Sequence, residues 1–488
     1  MTASVFHNLE PRPIWDHFAT LCAIPRPSKH EAALRDHLLA WAEARGIETR
    51  VDAAGNLILK KPASPDCEKR PGVILQGHLD MVCQKNAGTD HDFQRDPIRL
   101  ILKDGWLAAE STTLGADNGI GVALALAALE DPDLIHPPLE VLLTVDEEAG
   151  MGGARALAPC TLAGRYLINL DTEEWGEFYL GCAGGMDVEA TRTCAREALP
   201  AGFKAWRVAV SGLRGGHSGI DIHLNRGNAL KLLAECLRML AGKLGARLIA
   251  LEGGTARNAI PREAFGVIAL PTSASDSLHD LLEGVLADWR QRLAGIDDGI
   301  ELACEPLTDS DAQALQPRDQ AALLDFLQAA PNGVARMSED FPGVVETSDN
   351  LGVASFNGNR FRAVFMVRSL KDAEALALAD SLSRLAESHS CQAAKIGPYP
   401  GWTPNPASPL LALGQRVYHD TFGQPARLQV IHAGLECGLL AASHPGLDMI
   451  SFGPDIRGAH APGERVEIQS VGRCWVLLKA MLKTLATP

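Results

Sequence analysis

Apolar positions along this chain fall into two patterns, short β-rich runs and longer stretches with helical spacing. Residues 73–76, 139–145, 166–170 and 449–452 read as buried strands. Between the first two, residues 119–129 form an Ala/Leu-rich helix that stops at Asp131-Pro132. The last helix sets Ile468, Val471, Trp475, Leu478, Leu482 and Leu485 on one face. Ser28 to Glu31 reads as a capping box, opening a helix with Leu34, Leu38 and Trp41 on one side and Gly46 as its stop. Strands alternating with helices predict an α/β domain, a mostly parallel sheet with helices on both faces.

The order changes between residues 203 and 394. Strands at 206–210 and 361–367 flank two long amphipathic helices, 228–244 and 371–388. This predicts an α+β domain inserted into the α/β one. Residues 1–186 and 398–488 then form the catalytic domain and 187–397 the insert, with the Pro/Gly-rich stretch 397–409 as return linker. Residues 254–260 and 347–352 echo one another, each ahead of a β-rich run, which leaves open a duplicated smaller unit.

Composition narrows the class. The 488 residues exceed one ordinary domain, and 46% hydrophobic with 22% charged residues is a globular balance. A net charge of −15 argues against polyanion or anionic-membrane partners. No apolar run reaches the ~18 residues that span a bilayer, and residues 1–10 lack the basic-then-apolar profile of a leader. The 11 cysteines are odd in number and contain no CxxC pair, against a disulfide framework or thiolate zinc site. These features predict a soluble cytoplasmic protein without nucleic-acid or membrane partners.

The chemistry-bearing residues follow the strands. His78 and Asp80 come after the first, Asp146-Glu147-Glu148 after the second, Asp171 after the third, and His460 in the loop beyond the fourth. Asp117 opens the intervening helix, with Gly115 and Gly119 allowing close backbone approach. Ligands of open α/β sheets bind beyond the carboxyl ends of the strands, so these side chains can converge. Two histidines and several carboxylates suit zinc, cobalt or manganese. Five ligands sharing one carboxylate would hold two ions that activate a water. Of the adjacent pair Glu147-Glu148, one can bind metal while the other faces the water or substrate, and Asp80 can orient the His78 ring.

Gly77-His78-Leu79-Asp80, Leu114-Gly115-Ala116-Asp117-Asn118-Gly119, Asp146-Glu147-Glu148-Ala149-Gly150 and Ile168-Asn169-Leu170-Asp171 resemble the signature of the di-zinc exopeptidases. That family includes carboxypeptidase G, peptidase T and aminoacylase, and the resemblance is strongest to its aminoacyl-histidine dipeptidase branch. Gly215-Gly216-His217-Ser218-Gly219, Arg257-Asn258-Ala259-Ile260-Pro261-Arg262 and His432-Ala433-Gly434-Leu435-Glu436 support it.

The resemblance implies that Asp117 bridges two ions, with His78 and Asp171 completing one site and Glu148 and His460 the other. It implies a metal-bridging hydroxide as nucleophile, Glu147 as general base, and Asp80 holding the His78 ring. His217 would polarise the scissile carbonyl, often across a dimer interface, and Asn258 would contact substrate. Arg368 is the candidate for the substrate carboxylate. A second arginine that shorter family members carry after the Asn258 motif is missing, and Arg262 is a poor stand-in. Asp171 rather than Glu goes with substrates bearing a free amino terminus.

The implied enzyme is a metal-dependent dipeptidase of small peptides. It would be homodimeric through an inserted lid domain. The competing readings are an amidohydrolase of N-acyl or N-carbamoyl amino acids and a non-catalytic metal-binding scaffold. No HExxH helix or GxSxG elbow is present, and Gly119-x-Gly121 lacks both the feeding strand and the third glycine of a dinucleotide loop.

Overall fold

The computed structural model describes Phe6 and residues 9–307 and 313–487. Most of the stretch on which the leader reading rests, residues 1–5, 7 and 8, lies outside the described residues. The chain packs as two compact units, each described by itself. Met1–Gly181, Trp402–Val430 and Leu435–Pro488 form the first, and Cys182–Gly401 with Ile431–Gly434 form the second.

The first unit is built on an eight-stranded sheet. Its order is Glu48–Val51, Leu57–Lys61, Leu139–Thr144, Val73–His78, Tyr166–Asn169, Asp448–Ser451, Glu177–Cys182, Arg427–Ile431. The four central strands from Leu139–Thr144 to Asp448–Ser451 run parallel. Strands Leu139–Thr144 and Val73–His78 are buried at every position, which is why they are mostly apolar rather than alternating. The edges run antiparallel instead. Only the outermost pair has a short connection, from Val51 to Leu57, and so short a link can only reverse the chain. Because the central four are parallel, His78, Thr144, Asn169 and Ser451 all end at one edge of the sheet.

Helix Ala116–Glu130 packs on strand Val73–His78 and on helix Arg12–Ala23. It is buried almost all round, which its Ala, Gly and Leu content permits. Gly119 is needed for this: a Cβ there would lie 2.8 Å from both the Phe18 ring and the Arg26 guanidinium.

One local expectation fails. Helix Ala32–Glu43 has no side-chain cap at Glu31. The Ser28 hydroxyl donates to Asp80 Oδ2 (2.7 Å), and Glu31 Oε1 accepts from the amides of Lys29 and Asp146 (both 2.9 Å). Both polar groups of the supposed capping box are used by loops at the sheet's carboxyl edge.

The second unit carries a nine-stranded antiparallel sheet. The order is Glu301–Pro306, Phe203–Ser211, Ala264–Pro271, Arg247–Gly253, Val345–Asn357, Arg360–Ser369, Gly184–Thr193, Gln392–Tyr399, with Gly333–Met337 also paired to Val345–Asn357. Its core joins Phe356, Phe361 and Phe365 of the sheet with Trp289 of helix Ser275–Arg292 and Phe326 of helix Pro317–Ala329. Helix Ala229–Leu244 starts where the Asn228 side chain accepts from the amides of Leu230 and Lys231. Residues 347–352 fall inside strand Val345–Asn357, so that half of the sequence echo is strand and not a lead-in to one.

Among the described residues the eleven cysteines form no disulfide, and eight of them are buried. Among the described residues no helix is long and apolar enough to cross a membrane.

Candidate active site

At the carboxyl edge of the parallel strands, in the first unit, the five expected donors come together. Asp117 is central. Its Oδ1 lies 3.1 Å from His78 Nε2, and its Oδ2 lies 3.1 Å from His460 Nε2. His78 Nε2 is also 3.5 Å from Asp171 Oδ1, and His460 Nε2 is 3.1 Å from Glu148 Oε2. One carboxylate thus faces two histidines, each backed by a second acid. Ligand atoms of His78, Asp117 and Glu148 all lie within 4.8 Å of one another.

The backbone explains how Asp117 reaches this position. Asp117 and Asn118 leave helical geometry at the start of their helix. The Asn118 side chain then accepts from the His78 amide (3.3 Å) and donates to the Leu170 carbonyl (2.6 Å), tying the turn to two strand ends. Gly115 precedes it at φ +71°, where a Cβ would lie 2.5 Å from Arg26 Nη2.

Asp80 does more than its expected part. Its carboxylate lies 3.5 Å from His78 Nδ1, and its own carbonyl lies closer, at 3.2 Å. The two carboxylate oxygens also accept the amides of Glu147 and Glu148, both at 3.0 Å. A single buried acid therefore holds the histidine and the glutamate pair, and these bonds with His78 outweigh burial and keep its pKa near 2.

The electrostatics are those of a crowded anion cluster. Burial pulls the His78 imidazole down, but Asp171, Asp117 and Asp80 outweigh it and hold the ring well above the usual histidine range. Hydrogen bonds from its ring to Asp117 and Glu148 push His460 up to about 11. Burial lifts Asp171 to about 6, against the attraction of His78. Burial also raises Glu147 well above the usual carboxylate range, with the charges of Asp171, Glu436 and Glu148 adding to it. Glu148 Oε1 is buried with no hydrogen-bond partner. Two imidazoles, three carboxylates and an orphaned buried oxygen are a donor set that fits divalent cations.

Beneath the cluster runs a chain of buried polar groups that the sequence did not reveal. Ser451 bonds to Asn169, Asn169 donates to Gln76 (2.5 Å), and Gln76 and Thr144 each donate to Glu436 Oε2 at 2.6 Å. Its members sit on four strands and at the start of helix Glu436–Ser443, which meet only in the fold.

The substrate candidates His217, Asn258 and Arg368 belong to the second unit. Gly216–His217 pairs with Ala259–Ile260, and the Ser218 amide donates to the Asn258 carbonyl (2.8 Å). His217 Nδ1 accepts the amides of Gly219 (3.2 Å) and Ile220 (3.0 Å). Burial and Arg368 bring its pKa down to about 4, so the neutral ring carries its proton on Nε2. Arg368 is buried; Nη1 donates to the Tyr399 hydroxyl (2.9 Å) and Nε has no partner. Asn258 is exposed, as is Arg262. A pair missed by sequence reading is Ser348 with His432, 2.7 Å apart and both buried.

Comparison with known proteins decides the family. Residues 74–484 match peptidase family M20/M25/M40. The chain belongs to this family. It is 45% identical over 483 residues to the cytosol non-specific dipeptidase of Escherichia coli K12, covering 98% of this chain and 99% of that one. The aminoacylhistidine dipeptidase of Vibrio alginolyticus superposes with a TM-score of 0.89 at 44% identity, covering 98% of each chain. The aminopeptidase PepT of Bacillus cereus shares the fold, at 16% identity and a TM-score of 0.57 over 98% of this chain and 100% of that one. This M20 protein has a mixed α/β fold and is a hydrolase acting on peptide bonds, and its matched region spans His78, Asp117, Asp171 and His460.

Proposed function

We propose that this M20 peptidase is a cytoplasmic dipeptidase using two divalent cations, most simply zinc, on substrates with a free amino terminus. The observation that carries the reading is Asp117, whose two oxygens face two different histidines. His78 and Asp171 would hold one ion, His460 and Glu148 the other, and Asp117 both. Two ions held there would lower the pKa of a water and polarise the scissile carbonyl. Glu147 takes the proton of the attacking water and returns it to the leaving amine. Asp80 keeps the Glu147 backbone in place for both transfers. His217, neutral with Nε2–H available, suits donation to the developing oxyanion from its own or a partner chain. Arg368 suits the substrate's terminal carboxylate, since its partnerless Nε would gain a charge-assisted bond. Asn258 is assigned a substrate contact. Residues 187–397 would then serve as lid and homodimer contact.

A free amine is the substrate feature that Asp171, in place of Glu, implies by resemblance to the family. Acetylating the amine of a cleaved dipeptide is expected to lower kcat/KM about a hundredfold or more. Equal rates on both forms would replace this reading with the N-acyl amidohydrolase. A panel with and without C-terminal histidine, including carnosine-type substrates, measures the breadth of specificity. Arg368→Ala is expected to raise KM by about 10–100-fold, the worth of a hydrogen bond to a charged group, with a smaller change in kcat. A fall in kcat at constant KM would remove Arg368 from substrate binding.

A further inference from the structure

Glu464 is a buried acid that the chemistry above does not use. It is 2% exposed, yet its carboxylate contacts neither histidine; it accepts four consecutive backbone amides. Oε2 takes those of Leu114 (2.7 Å) and Gly115 (2.9 Å), and Oε1 those of Ala116 (2.7 Å) and Asp117 (3.2 Å). These are the donors that a helix start leaves unpaired, here satisfied from about 350 residues away.

The same residue ends the loop that carries His460. Glu464 N donates to Ala461 O (3.1 Å), and Gly463 N donates to Thr112 O (3.3 Å). Beyond it, Arg465–Glu467 pairs with Trp106–Ala109, the strand that leads into the Asp117 turn. The His460 side chain is 52% exposed, so packing alone does not fix the ring, and the loop has to set its position. On the other side of the turn stands the buried Arg26. It donates to the carbonyls of Gly115 (2.5 Å), Leu79 (3.0 Å) and Asp80 (2.9 Å). Two buried opposite charges thus hold the Asp117 turn, one by its amides and one by a carbonyl, and each offsets the other's desolvation.

We propose that Glu464 is a positioning residue that sets the spacing of His460 from Asp117, and through it the affinity for the cation on the His460–Glu148 side. The proposal rests on the two-cation reading above. In Glu464→Gln the side-chain amide turns a donor toward two of the four backbone N–H groups, so the turn and the loop separate. Outer partners of metal ligands typically change affinity by about 10–100-fold.

Metal-free wild type and variants are titrated with cobalt(II), followed by calorimetry and visible absorption. Wild type is expected to take two ions per chain. E464Q is expected to keep its tighter ion and bind the other about 10–100-fold more weakly. E464D keeps the charge on a shorter arm, falls between the two, and carries the comparison if E464Q does not fold. Glu140→Gln is the structural control. Glu140 Oε2 likewise accepts two amides, Ala163 and Gly164 at 2.8 Å, but at the amino end of the parallel strands. It should lower the thermal midpoint and leave cobalt binding alone. Unchanged cobalt affinities in E464Q and E464D, with only the apoprotein midpoint lowered, would overturn the proposal. A wild type that takes fewer than two ions would instead overturn the two-cation reading beneath it.

Discussion

Glu147→Gln is expected to cut kcat by about 10²–10⁴-fold, the usual worth of a positioned general base, with bound metal and KM nearly unchanged. The glutamine side chain keeps the size of the glutamate and its backbone amide still reaches Asp80 Oδ1, so the loop stays in place. What disappears is the group that accepts and returns the proton. Burial and the neighbouring Asp171, Glu436 and Glu148 already work against a charge on Glu147, so the neutral variant should fold at least as well. Metal analysis beside steady-state kinetics checks both halves. A loss of less than tenfold would move the base to another residue, and a loss of metal would make Glu147 a ligand.

Asp117→Asn is expected to abolish measurable turnover, a loss of several kcal/mol of transition-state stabilisation, or on the order of a thousandfold and more. The asparagine keeps one oxygen and replaces the other with an NH2 group that cannot coordinate. Either His78 or His460 then faces a donor at the 3.1 Å where an acceptor stood. Because both ions lose a ligand, bound metal should fall from two ions per chain toward none. Asp171→Asn faces only His78 in this cluster and should cost one ion. Equal metal loss in the two variants would mean that Asp117 does not bridge.

Much of this site can be read from the chain because it is written in contiguous pieces. His78 and Asp80 lie at the end of a fully buried strand, and Asp171 follows another, so placing the strands places the ligands. Where a residue's partner is distant, nothing local marks it. The Glu464 amides lie about 350 residues back, the Gln76 partner Glu436 lies 360 residues ahead, and Ser348 meets His432 only after folding. Ser28 shows how a local signal can mislead, since its spacing from Glu31 matches a cap while its hydroxyl is bound to Asp80. In the second unit, helix Ser275–Arg292 buries Leu278, Leu282, Val285 and Trp289 at spacings of four, three and four. That stripe was visible, but polar flanks and Gly284 diluted it. Helix Pro317–Ala329 opens with proline at its first turn, a start signal next to residues that lie outside the described ones.

The second unit owns Ile431–Gly434 as well as the continuous Cys182–Gly401. The Ala183 amide donates to the carbonyls of Ile431 and Ala433, and Ser348 bonds to His432. A gene fragment cut at residues 182 and 401 therefore encodes a body missing one of its own parts, with a buried serine and an amide stripped of partners. Recombination that moves this region between relatives has to carry two separate pieces of coding sequence. The smaller encodes four residues, and a chimera built without matching them begins with a defect in its interior.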